Sequence, residues 1–524
     1  MYLTSRGHRK RVLSATGIIF ALLVGACSSN SGQGNSSSSA SGGIVTLSVA
    51  GPITSLDPAK AVSFQDLQAA SALYDPLVLF DPQGKLIPGL ADSWTDTPTS
   101  ATFHLRSGVT CSDGTALTAS MAAASLQRYL TPSTNAPLLA RVAGAKNTGQ
   151  VTGDDKASTL TVTLSKPWSE LVAGLTSPST GIVCPAGLKD PSTLLAGSSG
   201  TGPFVAASQI SGATYTFKSR AGYSWGGAFA DQPKGAVPAT LVLKVVADDN
   251  TAANLQSTGS LSIASYTSQA WTRFNGQSGY TPATQDQSDT MLLFNESPGH
   301  PTADKAVRYA IAQALDRNNL TAVLGNGNGK IEPNLGDSNY PCFDASLKDA
   351  LPPFDPSAAK AVLQGKQVKV IGTTLVAGGN GTSAVLAQLN QAGAAATLQN
   401  TNNEAWVSAL FSGKNEWDVT ILVYANTFNS LTSAAGFFVG DAPPKGQNIG
   451  AVSNATAAAS YAQAGAGVGA DKCSATTALQ RSLFTSADVL PLAAVPVTNV
   501  FSGGAQGVVV KGFAVPSSIR MSGK

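Results

Sequence analysis

The sequence predicts an α/β protein built from more than one lobe, and three observations carry that reading. The chain has 524 residues, too many for one small module, and 43% are hydrophobic, too many for a disordered chain. Short β-branched runs of period two recur along it, interspersed with helical patterns of apolar residues three and four apart. After residue 26 no uncharged apolar run is long enough for a membrane span, so the body should fold in water.

The N-terminus comes first. Arg6, Arg9, Lys10 and Arg11 precede an uncharged apolar stretch, Val12 to Ala26, shorter than the ~20 residues a membrane helix needs. Gly25-Ala26 and Cys27 follow. A basic segment, a short apolar segment and small residues make an export signal. Leu23-Val24-Gly25-Ala26-Cys27 resembles a bacterial lipobox, which implies cleavage before Cys27 and acylation of its sulfur, although Val24 stands where Leu is usual. Residues 27–43, nearly all Ser, Gly, Asn and Ala, read as a flexible tether.

In the body, Ile44 to Val49, Ala101 to Leu105 and Thr159 to Leu164 read as half-buried strands, and Leu241 to Val246 as a strand buried on both faces. Asp304 to Leu315 and Pro356 to Leu363 read as helices. Asp81-Pro82-Gln83-Gly84 and Ser112-Asp113-Gly114 are turn signals that suggest a meander feeding one sheet.

Composition narrows the function. Charged residues are 12% of the chain, about half the usual share. Removing residues 1–26 takes four of the 33 basic residues and no acidic one, which leaves a nearly neutral protein. No basic excess points to nucleic acid. His104 reads as a partly exposed strand residue and His300 as a surface loop residue. There is no His-Glu-x-x-His, no Gly-x-Ser-x-Gly elbow and no Walker loop; Gly197 to Gly202 lacks the Lys and is followed by Pro203. The expectation is a protein that is no enzyme and has no catalytic residues, cofactor or bound metal. Four cysteines remain after Cys27, namely Cys111, Cys184, Cys342 and Cys473. An even number in an exported chain favours disulfides, with three pairings open.

Several segments occur in an order that resembles one family. They are Ser55-Leu56-Asp57-Pro58, Leu73-Tyr74-Asp75-Pro76-Leu77, Gly84 to Trp94, Thr102 to Val109, and Ser112 to Ala119. Gly200-Thr201-Gly202-Pro203-Phe204, Tyr223-Ser224-Trp225, Leu292-Leu293-Phe294-Asn295, Val307 to Arg317, and Phe354-Asp355-Pro356 with Ala359-Lys360-Ala361 complete the set. Together they resemble the bacterial extracellular solute-binding proteins of family 5, the oligopeptide and dipeptide receptors of ABC importers. Asp113, Gly114 and Trp94 read as fold residues in it.

The resemblance implies a two-lobed periplasmic-binding-protein-like fold with a hinge and a small domain inserted in lobe I. Lobe I would comprise residues 44–80, 196–283 and 481–524, the inserted domain 81–195 and lobe II 284–480. Bridges that leave the hinge free would then be Cys111–Cys184 and Cys342–Cys473. The ligand would meet Val62, Ser63 and Phe64 on one side and Val423, Tyr424, Ala425 and Asn426 on the other. Asn426, or Thr427 if the gap falls one residue later, stands where the family usually has an Asp for a peptide ammonium, so a free amine would lack its counter-charge there. The implied protein is a monomeric lipoprotein outside the cytoplasm, anchored to the cell membrane, that hands a peptide to the transmembrane subunits of an ABC permease. A neutral oligosaccharide, a glycolipid head group, a metal chelate or haem, or a regulatory role in the envelope are the other readings.

Overall fold

A computed structural model describes residues 42–197, 199–374, 377–413, 416–425 and 427–522. The signal segment, Cys27, the tether up to Ser41 and Asn426 lie outside the described residues.

An 11-stranded mixed sheet runs through the molecule. From one edge the strands are Ala395–Thr401, Gln367–Thr373, Val419–Ala425, Tyr280–Phe294, Val489–Ser502, Ile263–Tyr266, Gly42–Val49, Pro238–Val245, Thr214–Ser219 and Phe204–Ile210, with Lys330–Ile331 beside Val489–Ser502. Two of these are long, 15 and 14 residues, and pair antiparallel along most of their length. Toward one end of this ribbon, Thr498 to Phe501 pairs with Ile263–Tyr266. At the other end Ser288 to Phe294 pairs with Val419–Ala425. The register slips between Asp286 and Ser288, where the ribbon passes from one half of the sheet to the other. The molecule is therefore two-lobed, with this ribbon shared between the halves.

The expected elements are present with small shifts. Pro238–Val245 lies between two neighbouring strands, but only one face is fully buried: Leu241 and Leu243 are covered while Val242 and Lys244 on the other face are partly exposed, so the expected burial on both faces does not hold. The two helices span Lys305–Ala314, capped by Asp304, and Pro356–Leu363. The first strand begins at Gly42, inside the expected tether, because the Gly42 N–H donates to the Val237 carbonyl at 3.1 Å. A side chain there would lie 2.5 Å from that oxygen, so glycine permits the pairing.

The expected single meander is instead two structures. Val78–Phe80 and Leu86–Pro88 form a separate hairpin, while Ala91–Thr97, Ser100–Leu105, Thr159–Leu164 and Gly149–Asp154 form a four-stranded sheet. The break falls at Gly89, whose N–H donates to the Leu77 carbonyl and whose missing Cβ would lie 2.6 Å from the Pro76 carbonyl. The chain bends back there, so the ladder cannot continue. The helix Ala119–Leu130 covers this small sheet, and Cys111–Cys184 ties its flank. The other bridge is Cys342–Cys473.

The motif segments are structural. Asp57 caps its own turn through the Ala59 N–H and accepts both arms of Arg128, at 3.0 and 2.5 Å. Asp113 accepts from the Thr115 N–H, and Gly114 has the positive φ that a side chain resists. Trp94 packs against the core. His104 pairs with Asp92 at the surface, but His300 is half-buried and bonded to Asp418 at 2.7 Å, which makes it a strut rather than a surface residue.

Candidate functional site

The first expected contact segment opens a helix. Val62 is 53% exposed. Ser63 caps Phe64–Leu73, its hydroxyl accepting from the Asp66 N–H while Asp66 reaches back to the Ser63 N–H, a reciprocal capping box. Phe64 lies against Phe513 at 5.9 Å between ring centroids.

The second segment ends the strand Val419–Ala425. Strand alternation puts Val423 and Ala425 on the opposite face from Tyr424. Tyr424 is buried, with Phe437 edge-on at 5.3 Å. The two segments come from different elements, a helix N-terminus and a strand end. Phe64 reaches the hairpin 509–514 through Phe513, and from that hairpin Lys511 donates to Asn429 at 2.6 Å and lies 4.3 Å from the Tyr340 ring.

Two charged groups beside Tyr424 were not legible as site residues. Asp289 stands directly across from Tyr424 on the neighbouring strand and is 4% exposed. Tyr340 hydrogen-bonds its carboxyl, but Oδ2 is buried without a partner. Burial first, then the carboxyls of Asp337, Glu332 and Asp286, hold its pKa well above the usual carboxylate range, and Lys511 opposes them. Asp286 is taken by Lys330 at 2.7 Å. Among the described residues no acidic cluster has the grouping to hold a metal ion. A carboxyl buried in this way keeps its proton while the site is empty, and a cation brought beside it would draw it into the charged form.

Arg141, from the helix Leu139–Ala143, comes from the other direction. Its guanidinium carbon lies 4.4 Å from the Tyr424 ring centroid and 3.4 Å from that of Phe437. Around it the segment 141–170 docks on the segment 430–472: Glu170 accepts from Ser430 at 2.7 Å and pairs with Lys472 at 2.9 Å, Trp168 meets Tyr461, and Lys146 pairs with Asp441 at 2.6 Å. One signal for Asp289 was present in the sequence, an acid leading into the apolar run Met291-Leu292-Leu293-Phe294, whose strand is buried on both sides. Arg141 gave none, because its partners are hundreds of residues away.

Known proteins share this fold. A substrate-binding protein from Microbacterium hydrocarbonoxydans, solved with 4-hydroxybenzoate hydrazide, is 31% identical and superposes with a TM-score of 0.83 over 91% of this chain and all of that one. The ABC transporter-associated periplasmic binding protein DppA from Helicobacter pylori, solved with the peptide STSA, has the same fold at 17% identity, with a TM-score of 0.78 over 92% of this chain and 98% of that one. Among curated proteins, the murein peptide-binding protein MppA of Escherichia coli K12 is 35% identical over 22% of this chain and 24% of its own length. The glutathione-binding protein GsiB of the same strain is 30% identical over 42% of this chain and 41% of its own. The chain thus spans well under two thirds of the curated relatives' lengths. Residues 85–443 match the family described as bacterial extracellular solute-binding proteins, family 5, middle region. The chain belongs to the bacterial extracellular solute-binding proteins of family 5.

Proposed function

We propose that this chain is the lipid-anchored receptor of an ABC importer, capturing a peptide between its lobes and delivering it to a permease. The carrying observation is the Asp289 carboxyl, buried beside Tyr424 with Oδ2 unpartnered. It supplies the counter-charge for a peptide ammonium that the family's usual position lacks here. The names of MppA and GsiB, and the peptide bound to the Helicobacter protein, support the same class of ligand.

In this reading lobe I comprises 44–80, 196–283 and 481–524, the inserted domain 81–195 and lobe II 284–480. The slip between Asp286 and Ser288 adjoins that boundary. A ligand shifts such a hinge only by binding the closed arrangement better than the open one. Val62, Ser63 and Phe64 then border the ligand from lobe I, and Val423, Tyr424, Ala425 and Asn426 from lobe II. Anchoring through Cys27 rests on the lipobox-like segment.

Calorimetry with two- to five-residue peptides tests the ligand, with 4-hydroxybenzoate hydrazide as an uncharged comparator. Free-amine peptides should bind and N-acetylated ones should not, while Asp289→Asn and Tyr424→Ala should each weaken binding more than tenfold. Equal binding of acetylated and free peptides, or of the hydrazide alone, overturns this function.

A further inference from the structure

Arg141 is 4% exposed, and its Nε is buried without a hydrogen-bond partner. Among the described residues no carboxylate lies within ion-pair distance of it. Glu170, from its own domain, is already held by Lys472 and Ser430. Other deeply placed arginines differ. Arg308 pairs with Asp488 at 2.9 Å and Glu296 at 3.3 Å, and Arg128 pairs with Asp57. Arg220 donates to the carbonyls of Gly202, Thr110 and Cys111. Arg141 instead lies over two aromatic rings, with the Tyr424 hydroxyl as its polar neighbour. A guanidinium carries five N–H donors in a fixed fork suited to a carboxylate, and ring faces offset only part of the desolvation of a buried cation.

We propose that Arg141 is an anion subsite of the same binding site, so that the ligand is a zwitterion whose positive group meets Asp289 and whose carboxylate meets Arg141 on either side of Tyr424. This rests on the peptide-receptor reading for its positive pole. Asp289 and Tyr424 face each other across adjacent strands, and the guanidinium lies 4.4 Å beyond the tyrosine ring, which puts the poles on the order of 10 Å apart. Two or three extended residues cover that span at ~3.5 Å each. The carboxylate can come from a C-terminus or from a side chain.

The test compares, by calorimetry, a tripeptide with free termini, its C-terminal amide, the amide carrying a Glu side chain, and the N-acetyl form. The single-chain zwitterion ε-aminocaproate and its amide serve as probes that are not peptides. Wild type should lose about thirtyfold or more in affinity when the only carboxylate is amidated, the order expected when one partner of a buried ion pair is removed. The Glu-bearing amide regains affinity if the side-chain source is used. Arg141→Met should bind acid and amide alike, Arg141→Lys should retain part of the preference, and Asp289→Asn should keep it while losing the preference for a free amine. Peptides that bind wild type with no acid preference overturn the anion subsite and leave the peptide function standing. Selective binding of ε-aminocaproate through Arg141, with no peptide bound, upholds the subsite and overturns the peptide function. Equal weakening of acid and amide in Arg141→Met makes Arg141 a packing residue, and no binding of any probe overturns both.

Discussion

Asp75 is where three separated stretches of the sequence meet. Its carboxyl accepts from the Tyr223 hydroxyl at 2.9 Å and the Trp225 indole at 3.0 Å, while its N–H donates to Thr201 at 3.0 Å. Gly200 and Gly202 let that loop press on the backbone of Leu73 and Tyr74, where a Cβ would come within 2.0 and 2.4 Å. Burial outweighs the donors and pushes the Asp75 pKa up to about 7. Asp75→Ala would take an acceptor from both the Tyr223 hydroxyl and the buried Trp225 indole, and a buried donor that loses its partner costs about 1–3 kcal/mol. Urea denaturation should show a loss of that size. A change under ~0.5 kcal/mol would mean that the site rehydrates and that this junction does not bind the three stretches together.

At the scale of elements, the helix Phe64–Leu73 depends on its cap. The Ser63 hydroxyl is committed to the Asp66 N–H, and Asp66 also accepts from the N–H and hydroxyl of Thr54 at 2.7 and 2.8 Å. Ser63→Ala should therefore cost about 1 kcal/mol of stability. Peptide affinity should change less than twofold, and a larger loss in affinity than in stability would return Ser63 to the ligand. The strands and helices that the sequence made legible were those whose pattern is local: β-branched runs, the Asp304 cap, the proline opening at Pro356. The bend at Gly89 was not legible, since it depends on a close approach to Pro76 from a dozen residues earlier. Tyr424 was reachable from the order of motifs. Asp289 and Arg141 were not candidates, because such a buried group stands out only by the partner it lacks in space.

Across the whole molecule, buried carboxyls set the pH dependence of folding. Burial, followed by the Asp337 and Asp286 charges, pushes the Glu332 pKa up to about 7. Burial, followed by the Asp488 charge, pushes Glu296 up to about 8. With Asp75 and Asp289, these groups hold protons in the native state at pH values where the unfolded chain has released them. Stability falls with rising pH wherever the native state binds more protons. Their contribution is complete below about pH 4, where the unfolded carboxyls also keep their protons, and is lost as pH rises through about 7 to 8. Exposed acids work the other way: the N–H groups of Thr115, Ser120 and Thr251 hold Asp113, Asp155 and Asp248 below the usual range, so their contribution fades in strong acid. The ligand-free protein should thus be most stable in mildly acidic solution and lose urea midpoint steadily from pH 5 to pH 8. Asp75→Asn and Glu296→Gln should each flatten that slope, whatever they do to the midpoint itself. A midpoint that climbs between pH 5 and pH 8 would mean that these carboxyls are already charged in the native state, with Arg308 and the hydrogen-bond donors outweighing burial.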